Sequence, residues 1–230
     1  SGGANVAMGH DALLATTTQD NNTAVGYQAL RANTAGNNTA FGKNALVLNT
    51  TGTLNVAVGV DALAANTTAD ANVAVGREAL AANTTGTRNT VVGTSAGVTM
   101  STADDNTAVG YVALKDNTAY RNVAVGSYAL TENTGGANNT AVGHNSLYTQ
   151  TTGAQNVAVG TSAGYAITDA TYNTLVGYQA GVAITTGANN IAIGGNAMSA
   201  LTTGTRNTAI GISAYDDSDT ENDNVAIGYQ

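Results

Sequence analysis

Several residue types that usually fill or brace a protein interior are missing from this chain of 230 residues. It has no cysteine, no proline and no tryptophan, and its one phenylalanine is Phe41. The lack of cysteine excludes disulfide bonds and thiol chemistry. Hydrophobic residues make up 43% of the chain, which is enough for a core, but Ala and Val dominate them. The interior is therefore predicted to be thin and built from small side chains.

Charge is also scarce. Charged residues form 10% of the chain, and the net charge is −8, whereas soluble domains usually carry about 25% charged residues. No basic stripe is present to release counterions from a phosphate backbone, so no nucleic-acid partner is expected. No apolar run approaches the roughly 20 residues of a membrane span, so no membrane insertion is expected. Residues 1–4 lack the features of a signal peptide, which predicts either a removed leader or a segment of a longer chain.

One unit, N-[VTI]-[AVL]-[apolar]-G, repeats from one end of the sequence to the other. Eleven of the thirteen intervals between these Asn are 17 residues long and two are 16. Residues 1–230 are therefore predicted to form a single solenoid repeat array without a linker. The repeated residues are Asn5, Asn22, Asn38, Asn55, Asn72, Asn89, Asn106, Asn122, Asn139, Asn156, Asn173, Asn190, Asn207 and Asn224.

Positions in each unit are counted here from that Asn, which is position 0. Gly always follows at position 4, Ala occupies position 7 in twelve of thirteen units, and Thr occupies position 12 in eleven. Positions 1–3 favour a short strand over a helix, and the absence of Asn-Gly and Asp-Gly pairs argues against tight hairpins. The sequence thus predicts an all-β, parallel β-solenoid of about fourteen 17-residue coils, stacked about 4.8 Å apart.

Stacking gives the invariant positions a structural role. Asn amides can hydrogen-bond along a stack, and Asn tolerates a left-handed backbone, so a polar ladder at one corner is predicted. Its members include Asn22, Asn38, Asn55 and Asn72. The glycines at position 4 are predicted to form a second corner, with a positive φ or without room for a Cβ. They include Gly26, Gly42, Gly59 and Gly76.

Positions 1 and 3 of the strand point to one face and position 2 points to the other. Neither face carries a charged residue in any unit, and a strand that is apolar on both faces is normally covered on both. Ala at position 2 suits the narrow inside of a coil, although the pattern leaves open which face is inside. A coil of 17 residues cannot cover both faces, so side-by-side self-association is predicted, with a homotrimer favoured and a head-to-tail polymer as the alternative.

Position 5 is variable and is predicted to face solvent. Its tyrosines, Tyr27, Tyr111 and Tyr178, mark a candidate lateral face for binding a cell-surface receptor or a glycan. The competing interpretation is an ordinary exposed surface with no ligand.

Catalytic and metal chemistry is not predicted. The pattern G-x-S-x-G occurs at 93–97 and at 160–164, but both copies fall on the same repeat positions, where Gly and Ala serve the scaffold. We therefore predict no enzyme activity and no cofactor. Weak candidates for a calcium site are Asp216, Asp217 and Asp219, although a solvated acidic loop is the favoured interpretation.

The units resemble the head repeats of trimeric autotransporter adhesins and the related repeats of phage tail fibres. Examples are 22–26 (N-T-A-V-G) and 190–194 (N-I-A-I-G), and the motif covers the whole chain. The period here is longer, with an added N-T-T-G segment such as 83–86. The resemblance implies a left-handed parallel β-roll, three chains wound side by side, and a structural role as a fibre shaft or in surface attachment. It also implies an extracellular, cell-surface or virion location.

Two further functions compete with a fibre segment. One is a self-assembling extracellular filament. The other is ice binding, because stacked Thr residues at position 12 would make a regular array of hydroxyl groups at the strand spacing.

Overall fold

The computed structural model describes residues 2–230, and the chain divides into two compact units, Ser1–Thr118 and Ala119–Gln230. Each unit contains seven strands of three residues, at positions 1–3 of the repeat, and the described residues contain no helix. The strands of the first unit are β1 (Val6–Met8), β2 (Thr23–Val25), β3 (Thr39–Phe41), β4 (Val56–Val58), β5 (Val73–Val75), β6 (Thr90–Val92) and β7 (Thr107–Val109). Those of the second are β8 (Val123–Val125), β9 (Thr140–Val142), β10 (Val157–Val159), β11 (Thr174–Val176), β12 (Ile191–Ile193), β13 (Thr208–Ile210) and β14 (Val225–Ile227).

Within each unit the strands pair in parallel and in chain order, so that equivalent positions of successive coils lie side by side. Val56 pairs with Val73, and Val73 with Thr90. The 16-residue coil that begins at Asn22 keeps this register, because Thr23 still pairs with Thr39. This coil is one residue shorter than the 17-residue coils, and the shortening falls in the segment after position 11. The predicted all-β, parallel β-solenoid is confirmed.

The inside of the coil is lined by position 2, which is Ala in every strand except at Val91 and Leu175. Ala57 and Ala141, for example, have no exposed surface, whereas the residues at positions 1 and 3 on either side remain half-buried or exposed. The face that the sequence left undecided is therefore settled, with position 2 inward and positions 1 and 3 outward. Ala at position 7 and mostly Leu at position 8 complete the core.

The Asn residues at position 0 are joined from coil to coil, and all except Asn5 and Asn224 are buried. The backbone N–H of Asn55 donates to Oδ1 of Asn38 at 3.0 Å, and that of Asn72 donates to Oδ1 of Asn55 at 3.0 Å. Most of their Nδ2 groups donate across the same coil to the carbonyl at position 14, as from Asn55 to Ala69 at 2.7 Å. The amide thus satisfies backbone groups that no strand partner reaches.

The left-handed conformation predicted for these Asn is wrong. It belongs to the residue before each Asn and to positions 6 and 8, where φ lies between 50° and 63°. Position 8 is the unexpected member, because Leu seldom adopts this conformation. Its backbone N–H donates to the next coil, as from Leu147 to the carbonyl of Ala163 at 3.0 Å. The backbone N–H at position 6 donates to the preceding coil, as from Asn145 to the carbonyl of Ser127 at 3.1 Å.

A second buried ladder runs along position 11 in part of the first unit. Nδ2 of Asn66 donates to Oδ1 of Asn49 at 2.8 Å, and Nδ2 of Asn83 donates to Oδ1 of Asn66 at 3.0 Å. The ladder is interrupted at Met100, where Oδ1 of Asn83 is buried without a hydrogen-bond partner.

Positions 8 and 11 compensate each other in size in most coils; Met198 and Leu201, which are both large and buried, are an exception. Where position 8 is Leu, as in Leu80, position 11 is Asn or Gln in all but the first coil, and where position 8 is Gly, position 11 is a large apolar residue. A Cβ at Gly97 would lie 2.8 Å from Sδ of Met100, and a Cβ at Gly181 would lie 2.8 Å from Cδ1 of Ile184. The apolar side chain at position 11 therefore fills the space that a leucine at position 8 would occupy.

Candidate functional site

The outward face of the strands, positions 1 and 3 of every coil, is an uncharged surface made mainly of Val, Ile and Thr that runs through each unit. We call it the outer strand face. In the second unit several of its residues retain roughly two fifths of their surface, for example Val159 (37%), Ile191 (40%) and Ile193 (39%), while others are half-buried, as in β9 and β11. None of its positions carries a charged side chain. A flat, uncharged, β-branched surface of this kind suits packing against another sheet.

The three tyrosines predicted to form a lateral face are exposed, and the two in the first unit lie far apart. Tyr27 is 48% exposed, Tyr111 50% and Tyr178 57%. Tyr27 and Tyr111 follow β2 and β7 and are thus separated by five coil spacings, about 24 Å. Tyr27 stacks instead on His10, with ring centroids 5.6 Å apart.

An aromatic cluster that the sequence reasoning missed lies in the second unit. It lines an open cleft of about 330 Å³ whose walls are Tyr128, His144, Asn145, Tyr148 and Tyr165. We call it the aromatic cleft. These residues occupy positions 5, 6 and 9 of three successive coils, so no single column shows the cluster. The available signal was the pair of tyrosines at position 9, which are 17 residues apart.

The rings of the aromatic cleft have a defined arrangement. Tyr148 and Tyr165 are stacked, with centroids 5.4 Å apart and an interplanar angle of 6°. Tyr128 is inclined at 60° to Tyr148 with its centroid 6.3 Å away, and it meets His144 edge to face at 5.9 Å. The stacked pair and the inclined ring therefore line the same open cleft.

Surface charge is partly organised in pairs that bridge consecutive coils at the position before Asn. Arg206 binds Asp223 through two hydrogen bonds, from Nε at 2.5 Å and from a terminal nitrogen at 2.8 Å. The hydrogen bond from Arg206 lowers the pKa of the Asp223 carboxyl below its usual value. Arg88 and Asp105 make an equivalent pair in the first unit. Exposed pairs of this kind add little to stability and align neighbouring coils.

The acidic residues proposed as weak calcium candidates do not form a ligand cluster. Asp217 accepts a hydrogen bond from the Gln230 amide at 3.1 Å, and the backbone carbonyl of Asp219 accepts one from Thr202. Oδ1 of Asp216 is buried without a partner. Within residues 2–230, no group of three or more His, Cys, Asp or Glu side chains is placed to hold a metal ion.

Both G-x-S-x-G segments lie in the turn that follows a strand. Ser95 and Ser162 occupy position 6 and have φ values of 53° and 57°. The Ser95 hydroxyl contacts a carboxylate oxygen of Glu78 at 3.3 Å, and the next strand follows each turn without an intervening helix.

The Thr side chains at position 12 form a ladder of their own. Oγ1 of Thr50 donates to the carbonyl of Thr67 at 2.9 Å, and Oγ1 of Thr185 donates to the carbonyl of Thr202 at 3.2 Å. Their hydroxyl protons are therefore engaged within the protein, which leaves fewer donors for an ordered water lattice.

The described part of the chain includes no helix with the length and apolar character needed to cross a membrane. Comparisons with protein-family models, with curated proteins and with solved structures found no match for this chain.

Proposed function

We propose that this chain is a non-catalytic structural segment of a fibre or shaft, carried outside the cell or on a virion. In this proposal, copies of the chain associate side by side through the outer strand face. The observation that carries it is this apolar, uncharged face, which continues through the successive strands of each unit and remains partly exposed on a single chain.

Repetition of the coil increases the free energy that the outer strand face can contribute to association. Burying the remaining surface of one Val or Ile side chain on the outer strand face contributes about 0.5–1 kcal/mol. Each added coil repeats the contribution, whereas the entropy cost of association is incurred once. An array of many identical coils therefore gains lateral affinity with its length. Three copies are the stoichiometry that the resemblance to adhesin heads suggests.

Charge on the outer strand face is expected to prevent association. We expect the purified chain to elute with three times its mass of 22.8 kDa and the double variant Val159→Lys/Ile193→Lys to elute as a monomer. Its affinity should fall at least about 100-fold, because each lysine would be buried without a counter-charge. Light scattering on a sizing column measures the mass.

The matched control is Thr161→Lys/Ile212→Lys, which adds the same charge at exposed residues of position 5. This control should retain the mass of the unmodified chain. A well-folded, unmodified chain that is monomeric at high concentration would refute side-by-side association. An open-ended size distribution would instead favour the filament alternative.

Ice binding is the least supported of the three functions. The hydroxyl protons at position 12 are bonded to carbonyl groups of the adjacent coil, as from Thr50 to Thr67. We expect no thermal hysteresis from the purified chain.

A further inference from the structure

We propose that the aromatic cleft is a binding site for a neutral saccharide, formed by Tyr128, His144, Asn145, Tyr148 and Tyr165. The proposal goes beyond a structural role and does not depend on side-by-side association, because all five residues belong to one chain.

Aromatic rings are concentrated in this cleft. The chain has only ten tyrosines and two histidines, and three of the former and one of the latter line this cleft. A tyrosine ring combines a broad apolar face with a hydroxyl at its rim. A pyranose ring is its chemical counterpart, because it has an apolar face of C–H groups and a rim of hydroxyls.

The size and shape of the cleft agree with a small sugar. Its volume of about 330 Å³ lies at the lower end of the range for ligand sites, about 300–1,000 Å³. The cleft is open, and the stacked rings of Tyr148 and Tyr165 and the inclined ring of Tyr128 line it together. A flat ligand can lie against one side while its edge reaches polar groups.

Those polar groups are placed among the rings. The Asn145 amide offers a donor and an acceptor, the His144 imidazole offers another pair, and the phenol hydroxyls offer both. Sugar hydroxyls require this mixture, since each one donates and accepts. None of the five lining residues is an Asp, Glu, Lys or Arg.

The arrangement of the rings decides between the saccharide and a quaternary ammonium ligand. An aromatic cage for a cation surrounds it with several ring faces, whereas a sugar ring needs only one. Here two of the three tyrosines stack on each other at 5.4 Å, so the three rings cannot all direct their faces at one cation. An anionic ligand would likewise lack a cationic partner. A neutral, hydroxyl-rich ring is the occupant that these side chains fit.

The test uses saturation-transfer NMR with the neutral disaccharides maltose, lactose, cellobiose and N,N′-diacetylchitobiose at about 10 mM. We expect at least one of them to bind the unmodified chain and its affinity to fall at least about tenfold in the variant Tyr148→Ala/Tyr165→Ala. Position 9 holds alanine at Ala64 and Ala81 in other coils. The variant is therefore expected to fold, and circular dichroism checks that it does.

The control variant, Tyr172→Ala/Tyr178→Ala, removes two exposed tyrosines of the same unit that do not line the cleft, and it should bind the sugar normally. The conservative variant Tyr165→Phe keeps the stacked ring and should retain most of the affinity. The proposal is overturned if none of the disaccharides binds. Equal binding by the Tyr148→Ala/Tyr165→Ala variant, or binding of tetramethylammonium or a proline-rich peptide in place of the sugars, would overturn it too.

Discussion

Replacing Gly194 with alanine is expected to lower the free energy of unfolding by about 3–5 kcal/mol. A Cβ at this position would lie 2.5 Å from the carbonyl carbon of Gly211 in the next coil, and closer still to its oxygen. Both atoms belong to the backbone, so they cannot move aside as a flexible side chain would. Overpacking of this kind costs about 1–3 kcal/mol or more, and a φ of 135° adds about 1–3 kcal/mol of strain for a residue with a Cβ.

The neighbouring glycine supplies the control. A Cβ at Gly195 would meet no atom within 4 Å, and its φ is not positive. Alanine there is expected to be neutral or to raise stability by up to about 1 kcal/mol, because it reduces the freedom of the unfolded chain. Chemical denaturation followed by circular dichroism compares the two variants. Similar losses at Gly194 and Gly195 would mean that the close approach of the coils at position 4 is not what requires glycine.

The second large effect is expected where the ladder at position 11 is interrupted. Gly97→Leu should cost about 2–3 kcal/mol, because the new side chain enters the space of Met100. Met100→Asn should cost about 2–4 kcal/mol, because it empties the same space. The double variant restores the combination seen at Leu80 and Asn83 and gives Oδ1 of Asn83 a donor. We expect it to regain at least about 2 kcal/mol relative to the sum of the single variants.

A double-mutant cycle based on denaturant midpoints measures this coupling. Met100→Leu is the matched control, since it keeps the volume of the side chain and should cost less than about 1.5 kcal/mol. Additive losses from Gly97→Leu and Met100→Asn would show that positions 8 and 11 do not share one space, and would refute the size compensation.

The coil and its strand could be predicted because their determinants repeat in single columns. Asn at position 0 and Gly at position 4 occur in every unit, and the alternation of small and β-branched residues between them indicates a strand. The direction of that strand's faces could not be predicted, because Ala at position 2 and Val at positions 1 and 3 are both apolar. In the structure, position 2 faces inward because the chain closes each coil with the buried residues at positions 7 and 8 on that side.

Features that depend on two positions at once escaped prediction. Position 11 contains Asn49, Met100 and Ile184, so it looks variable when it is considered alone. Its residue type can be explained only when it is compared with the residue at position 8 of the same coil. The aromatic cleft escaped for a similar reason, because Tyr128 and Tyr148 occupy different positions of different coils. The left-handed backbone at position 8 was missed because leucine gives no sign of it.

Three left-handed residues in every coil make a single coil unstable by itself. Each costs about 1–2 kcal/mol if it is not glycine, and their N–H groups donate to carbonyls of neighbouring coils, as Leu147 does to Ala163. The backbone strain of one coil is therefore compensated only after a second coil has stacked on it. Folding of each unit should need a nucleus of several coils, after which further coils add readily. The same barrier opposes unfolding, so an interior coil should open rarely and offer proteases few chances to cut it.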